Sequence, residues 1–228
     1  MNIRISTKKL LLIFAFLLTA ITYGQMSSAQ WVTTHVFSGN GAALTKPIHF
    51  FGSKWRLSYQ LEKIGKLTVS AVPLDKSPAF ALTKRAAQRI NFSSGSFNYL
   101  NDCYLSIADN EEIGWKIIIE EYLDWTGEWE YRKAMKESAQ AEPCGSWEGS
   151  EAATLSFNVD EIPCRLEFNA EEKGMLKIKI RDAEGKLIFS NLYLQAGKVG
   201  ESWIYNPGTY VMTIETNVNW TINADTLK

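Results

Sequence analysis

Met175-Leu-Lys-Ile-Lys-Ile-Arg181 alternates apolar and cationic side chains without a break. A period of two sets Leu176, Ile178 and Ile180 on one face and Lys177, Lys179 and Arg181 on the other. That is the pattern of a strand with one buried and one wet side. Asp182-Ala-Glu-Gly185 carries turn residues, and Lys186-Leu-Ile-Phe-Ser190 continues as the hairpin partner. Upstream, Pro163-Cys-Arg-Leu-Glu-Phe168 turns Cys164, Leu166 and Phe168 inward and Arg165 and Glu167 outward. Gly208-Thr-Tyr-Val-Met-Thr-Ile214 and Asn219-Trp-Thr-Ile-Asn223 supply the closing strands. About seven short strands in some eighty residues is the strand density of a two-sheet sandwich.

Moved back by 109 positions, the same stretch falls on Lys66-Leu-Thr-Val-Ser-Ala-Val72. Over residues 42–71 and 151–180, seven of thirty aligned pairs are identical, among them Arg56/Arg165, Leu57/Leu166, Gly65/Gly174 and Leu67/Leu176. Tyr59/Phe168 and Val69/Ile178 exchange like for like. Phe37-Ser-Gly39 matches Trp147-Glu-Gly149 at the two starts, and Trp115-x-Ile117 matches Trp220-x-Ile222 at the two ends. The chain therefore reads as all-β: two tandem antiparallel β-sandwiches, Ig-like or jelly-roll-like, spanning 30–123 and 146–228. The linker, 124–145, contains a short helix over Glu128–Gln140, built of good helix formers and stopped by Pro143 and Gly145. Ser77–Gln88 reads as a short helix or an irregular loop inside the first sandwich.

The N-terminus speaks for export. Arg4, Lys8 and Lys9 precede an apolar run from Leu10 to Ile21. A run of about twelve residues is too short to span a bilayer, which takes roughly twenty. The pattern is that of a removable signal peptide over residues 1–24, with a second cleavage option after Ala29. No cysteine follows either site, so no lipid anchor is expected, and no membrane span remains after cleavage. Periplasmic and extracellular addresses both fit. Removing 1–24 changes the formal charge from −1 to −1 − 3 = −4. That balance offers no basic surface for nucleic acid and no polybasic run for anionic lipid. Cys103, Cys144 and Cys164 leave one thiol over whatever the pairing. Cys144–Cys164 closes the shortest loop and is the preferred pair; Cys103 sits in an apolar strand pattern as a small buried hydrophobe.

No residue announces catalysis, cofactor binding or a metal site. His35 and His49 are the only histidines, and neither has a His-x-x-x-His partner or a Gly-x-Ser-x-Gly elbow to serve. In Ile48-His-Phe50, alternation points His49 away from its apolar neighbours. Paired carboxylates remain conceivable because geometry rather than spacing defines them. Gly39-Asn-Gly41 is a turn signal, with no lysine or helix behind it to make a phosphate loop. Aromatics are the other candidates. Trp55, Trp115 and Trp220 occupy recurring strand positions and read as core, and Trp203 and Tyr205 fit a strand end. Trp125, Trp129, Tyr131 and Trp147 crowd the linker, where they either glue the two sandwiches together or present rings to a sugar or a protein partner.

Phe37-Ser-Gly39-Asn-Gly41, Thr45-x-Pro47-x-x-Phe50 and Trp55-Arg-Leu57 together resemble a pattern of uncharacterised exported bacterial β-sandwich proteins. Gly208-Thr-Tyr210 and Trp220-x-Ile222 resemble the last strands of CUB-like and pre-peptidase C-terminal-like domains. The second unit departs from the first pattern, with Cys164 where Trp55 has its counterpart. The resemblance implies the fold, export and a binding or accessory role, and it maps no catalytic residue. The expectation is a non-catalytic exported binding protein with a carbohydrate or protein ligand. A small hydrolase using acids or His49 in a cleft between the units, and a structural spacer in an envelope assembly, are the alternatives.

Overall fold

The computed structural model describes residues 29–83, 89–98, 101–109 and 113–228. Residues 1–24, read above as a signal peptide, and residues 84–88 lie outside the described residues, and the second cleavage option, after Ala29, falls at their border. The first group of strands is β1 (Gln30–Asn40), β2 (Ala43–Leu44), β3 (Trp55–Gly65), β4 (Leu67–Pro73), β5 (Phe80–Ala81), β6 (Arg89–Ser93), β7 (Cys103–Asp109) and β8 (Gly114–Leu123). Helix α1 (Trp125–Ser138) follows. The second group is β9 (Ala141–Gly149), β10 (Ala153–Val159), β11 (Cys164–Ala170), β12 (Leu176–Asp182), β13 (Leu187–Tyr193), β14 (Gly197–Ile204), β15 (Gly208–Thr216) and β16 (Trp220–Leu227).

Each group forms two antiparallel four-stranded sheets. The first has the orders β1-β8-β3-β6 and β2-β7-β4-β5, the second β9-β16-β11-β14 and β10-β15-β12-β13. Adding eight to each strand number converts one sandwich into the other, so the sequence repeat is a repeat of topology. The register agrees residue by residue. Gly39 lies opposite Trp115 and Phe37 opposite Ile117; Gly149 lies opposite Trp220 and Trp147 opposite Ile222. In both units the glycine is required because the indole lies flat over it. A Cβ would stand 2.6 Å from the Trp115 ring at Gly39 and 2.7 Å from the Trp220 ring at Gly149. The two Nε1–H groups donate to carbonyls of the following turn, Gly41 at 2.8 Å and Glu151 at 3.0 Å.

Alternation fills the two cores as the sequence predicts. Trp55, Leu57 and Tyr59 of β3 and Leu67, Val69 and Ala71 of β4 are buried in the first. Leu166 and Phe168 of β11 and Leu176, Ile178 and Ile180 of β12 are buried in the second. Trp115, Trp220 and Cys103 are core residues, and Trp147 packs on the second core 5.3 Å from Phe157. The Asp182–Gly185 turn closes the β12–β13 hairpin, with Gly185 at φ +82°.

Two boundaries differ from the sequence reading. Helix α1 starts at Trp125, because Asp124 accepts a hydrogen bond from the Gly127 N–H and caps it. Ala141–Gly149 is a strand despite Pro143 and Gly145. β9 is an edge strand with a bulge at Cys144, and edges and bulges are where a proline costs no ladder bond. Cys144 and Cys164 approach across β16 with Sγ atoms 3.9 Å apart, both as free thiols.

The sandwiches meet through a third apolar cluster. Val32 and Leu123 of the first unit, Tyr131 of α1, and Trp203, Tyr205 and Leu227 of the second are all buried there. Tyr131 lies 5.4 Å from Phe51 and 6.1 Å from Tyr205, touching both units. Beside it, the fully buried Glu121 carboxylate accepts from Thr34 Oγ1 at 2.7 Å and from the Phe51 and Gly52 N–H groups at 2.7 and 2.8 Å. Burial pushes its pKa up against the pull of those hydrogen bonds. Gln140 and Lys228 exchange backbone hydrogen bonds of 2.8 and 3.0 Å, extending the β9–β16 ladder by one pair towards α1.

Candidate functional site

Helix α1 has two faces with opposite fates. Tyr131 and Gly127 point into the junction; a Cβ on Gly127 would come within 2.5 Å of the Phe51 carbonyl, so the helix is pressed against the first sandwich. The other face carries Trp125 and Trp129, 61% and 59% exposed. The linker aromatics thus divide. Tyr131 is the glue, Trp147 belongs to the second core, and two tryptophans face solvent.

Trp129, Arg132, Lys133, Lys136 and Glu137 of α1 and Glu201 of β14 line a groove of about 330 Å³. Specific small-molecule sites start near that size, at roughly 300 Å³. Its floor is fixed from below. Glu128, one turn before Arg132, accepts from the Arg132 guanidinium and from Tyr205 Oη at 2.9 Å. Arg132 Nε donates to Tyr205 Oη at 2.8 Å, and its guanidinium lies 5.6 Å from the Trp203 ring centre. Burial would lower the Arg132 pKa, but Tyr205 and Glu128 outweigh it and hold the charge in place. Burial would likewise raise Glu201; the hydrogen bond from Lys136 Nζ carries it below the usual carboxylate range instead. Trp203 Nε1 also donates to Glu201 at 3.3 Å.

Lys133 Nζ sits 5.7 Å from the Trp129 ring centre and 3.9 Å from Glu137. The groove therefore combines one open indole face, cationic donors and two carboxylates, all held by an ion-paired base. Such a set can stack an apolar ring face and hydrogen-bond hydroxyls around its rim. Sequence reasoning found Trp129 and missed Glu201, which arrives from β14. A second groove of about 330 Å³ lies at the β9–β10 turn between Trp147 and Trp220, beside Glu148 and Glu151.

The histidines come apart. His49 is exposed while Ile48 and Phe50 are buried, as alternation requires. Its Nδ1 meets Asp102 at 2.7 Å, with side-chain exposures of 65% and 47%. This is half of what a hydrolase needs: the carboxylate is present, but the pair stands on an open surface with no hydroxyl or thiol partner among the described residues. His35 lies against Thr34 Oγ1 at 3.1 Å, and burial, helped by His49, lowers its pKa to about 4. Among the described residues no three His, Cys, Asp or Glu side chains come together as a metal cluster.

No family model and no curated protein matches the chain. Among solved structures, a conserved Pseudomonas aeruginosa PAO1 protein of unknown function is 8% identical over 85% of this chain and 80% of its own, with a TM-score of 0.27. The PBSX exported protein XepA is 9% identical over 91% and 88%, with a TM-score of 0.24. A Parabacteroides distasonis protein described as secreted is 8% identical over 92% and 93%, again at 0.24.

Proposed function

We propose that this is an exported, non-catalytic binding or accessory protein that takes a carbohydrate in the groove between α1 and β14. One observation carries the reading. Trp129 keeps 59% of its surface open beside a preformed polar groove, on the same helix that buries Tyr131 almost completely. An indole is a large apolar area to leave in water, and a sugar ring offers the flat C–H face that would cover it. Lys133 and Lys136 would donate to ring hydroxyls, and Glu137 and Glu201 would accept from them. The basic, apolar N-terminal segment supports export. The open setting of His49 and Asp102 favours binding over hydrolysis.

The test is a glycan array probed with mature protein, residues 25–228, alongside a folded Trp129→Ala variant. Binding by the wild type that vanishes in the variant is the expected result. A folded wild-type protein that stays silent across the array, or a variant that binds equally well, overturns the carbohydrate reading and points to a protein ligand.

A further inference from the structure

The two sandwiches share one topology, so any feature present in only one of them is not demanded by the fold. The outer edge of the β10-β15-β12-β13 sheet is such a feature. Among the described residues β13 joins a ladder only with β12. Its other side carries backbone groups outside any ladder, of which the Leu192 N–H donates to Asn191 Oδ1 at 2.8 Å. Leu187-Ile-Phe-Ser-Asn-Leu-Tyr193 contains neither a charged residue nor a proline, the usual devices that blunt an edge. Phe189 and Tyr193 turn inward onto Phe168. Leu187, Ile188, Leu192 and the following Leu194 remain 40%, 38%, 47% and 59% exposed. The counterpart strand β5 is only the two residues Phe80–Ala81.

A cationic row accompanies this edge. Lys177, Lys179 and Arg181 on the outer face of β12 lie opposite Leu192, Ser190 and Leu187. Glu215 is shared by Lys177 and Lys179, at 2.9 and 3.1 Å, and Arg181 donates to the Gly185 carbonyl at 2.8 Å. Three cations thus face one carboxylate. The first sandwich has no such row, because β4 presents Thr68, Ser70 and Val72 at the counterpart positions.

We infer that the free edge of β13 is a docking strand for an extended segment of a partner protein in which apolar and acidic residues alternate. An added strand lies about 4.8 Å from β13, and its side chains alternate between the two faces of the sheet. Those on the inner face extend the apolar edge beyond Phe189 and Tyr193. Those on the outer face stand about 10 Å from the β12 row, within joint reach of a lysine and a glutamate across the small Ser190. Charge complementarity selects the occupant: a second copy of this chain would bring a second cationic row, an acidic segment brings the missing anions.

The experiment uses full mature protein and two fluorescein-labelled peptides, one of repeated Val-Glu pairs and one of repeated Val-Lys pairs, read by anisotropy. The expected result is at least about tenfold tighter binding of the acidic peptide at low salt, weakening as salt rises. Leu192→Lys, at an exposed position, should abolish binding, and Lys179→Glu with Arg181→Glu should reverse the preference. Circular dichroism checks that each variant is folded. Wild-type protein that binds neither peptide, or both equally, overturns the inference. So does a wild-type dimer in sedimentation that Leu192→Lys dissolves, which would make the occupant a second copy.

Discussion

Tyr131 should decide whether the two sandwiches behave as one body. Its side chain is 1% exposed and touches Phe51 on one side and Tyr205 on the other. Truncating a buried aromatic to alanine costs about 3–5 kcal/mol through lost transfer energy and the cavity left behind. Here the cavity would open between the units rather than inside either core. Tyr131→Ala is therefore expected to split one urea unfolding transition into two and to expose residues 124–140 to limited proteolysis. Tyr131→Phe makes the opposite prediction. The buried phenol oxygen has no hydrogen-bond partner among the described residues, and an unmade buried bond costs about 1–3 kcal/mol. Removing the oxygen while keeping the ring should raise stability by about 1 kcal/mol. The measurement is chemical denaturation followed by tryptophan fluorescence, with the protease digest as a local readout. A Tyr131→Ala protein that unfolds in one step with a loss under about 1 kcal/mol would refute the reasoning, as would a Tyr131→Phe protein less stable than wild type.

Three further outcomes follow from the same structure. Gly39→Ala and Gly149→Ala should each lower stability by about 1–3 kcal/mol in thermal melts, since both Cβ atoms would strike an indole that fills its site. Matched losses would also show that the two glycine–tryptophan pairs do the same job. His35, ordinarily near 6.5 and held at about 4 by burial, takes up protons in the unfolded chain before the folded one. Stability should therefore be full above pH 6.5 and fall as pH drops towards 4, and His35→Gln should flatten that slope. Burial pushes the Cys103 thiol up to about 11, whereas Cys144 is exposed, so iodoacetamide should label Cys144 first. A small disulfide oxidant should then join Cys144 to Cys164, whose Sγ atoms stand 3.9 Å apart, provided the edge strand β9 moves towards β11, leaving one titratable thiol.

Much of the fold could be read from the chain because burial and pattern coincide. Leu176, Ile178 and Ile180 alternate with cations, and the repeat of Phe37-Ser-Gly39 as Trp147-Glu-Gly149 reports two identical registers. What escaped had a local disguise. Trp125-Thr-Gly127 opens α1 with poor helix formers, although the Asp124 cap was there to be seen. Pro143 and Gly145 imitate a stop while lying in an edge strand. The two glycines of Gly197-Lys-Val-Gly200 break the alternation of β14, so Glu201, Trp203 and Tyr205 did not register as partners of α1. The candidate groove suffers most from this, because Trp129 and Glu201 are brought together only by the docking of the helix.

In each sandwich the first and last strands are neighbours running in opposite directions. Gln30 pairs with Leu123, and Ala141 pairs with Leu227. Each unit is therefore entered and left at the same end of one ladder. Tension applied through the chain would peel that ladder open bond by bond, as a zipper, instead of shearing all its bonds at once. A unit wired this way opens one backbone pair at a time, so its resistance to pulling is set by single hydrogen bonds and not by the whole ladder.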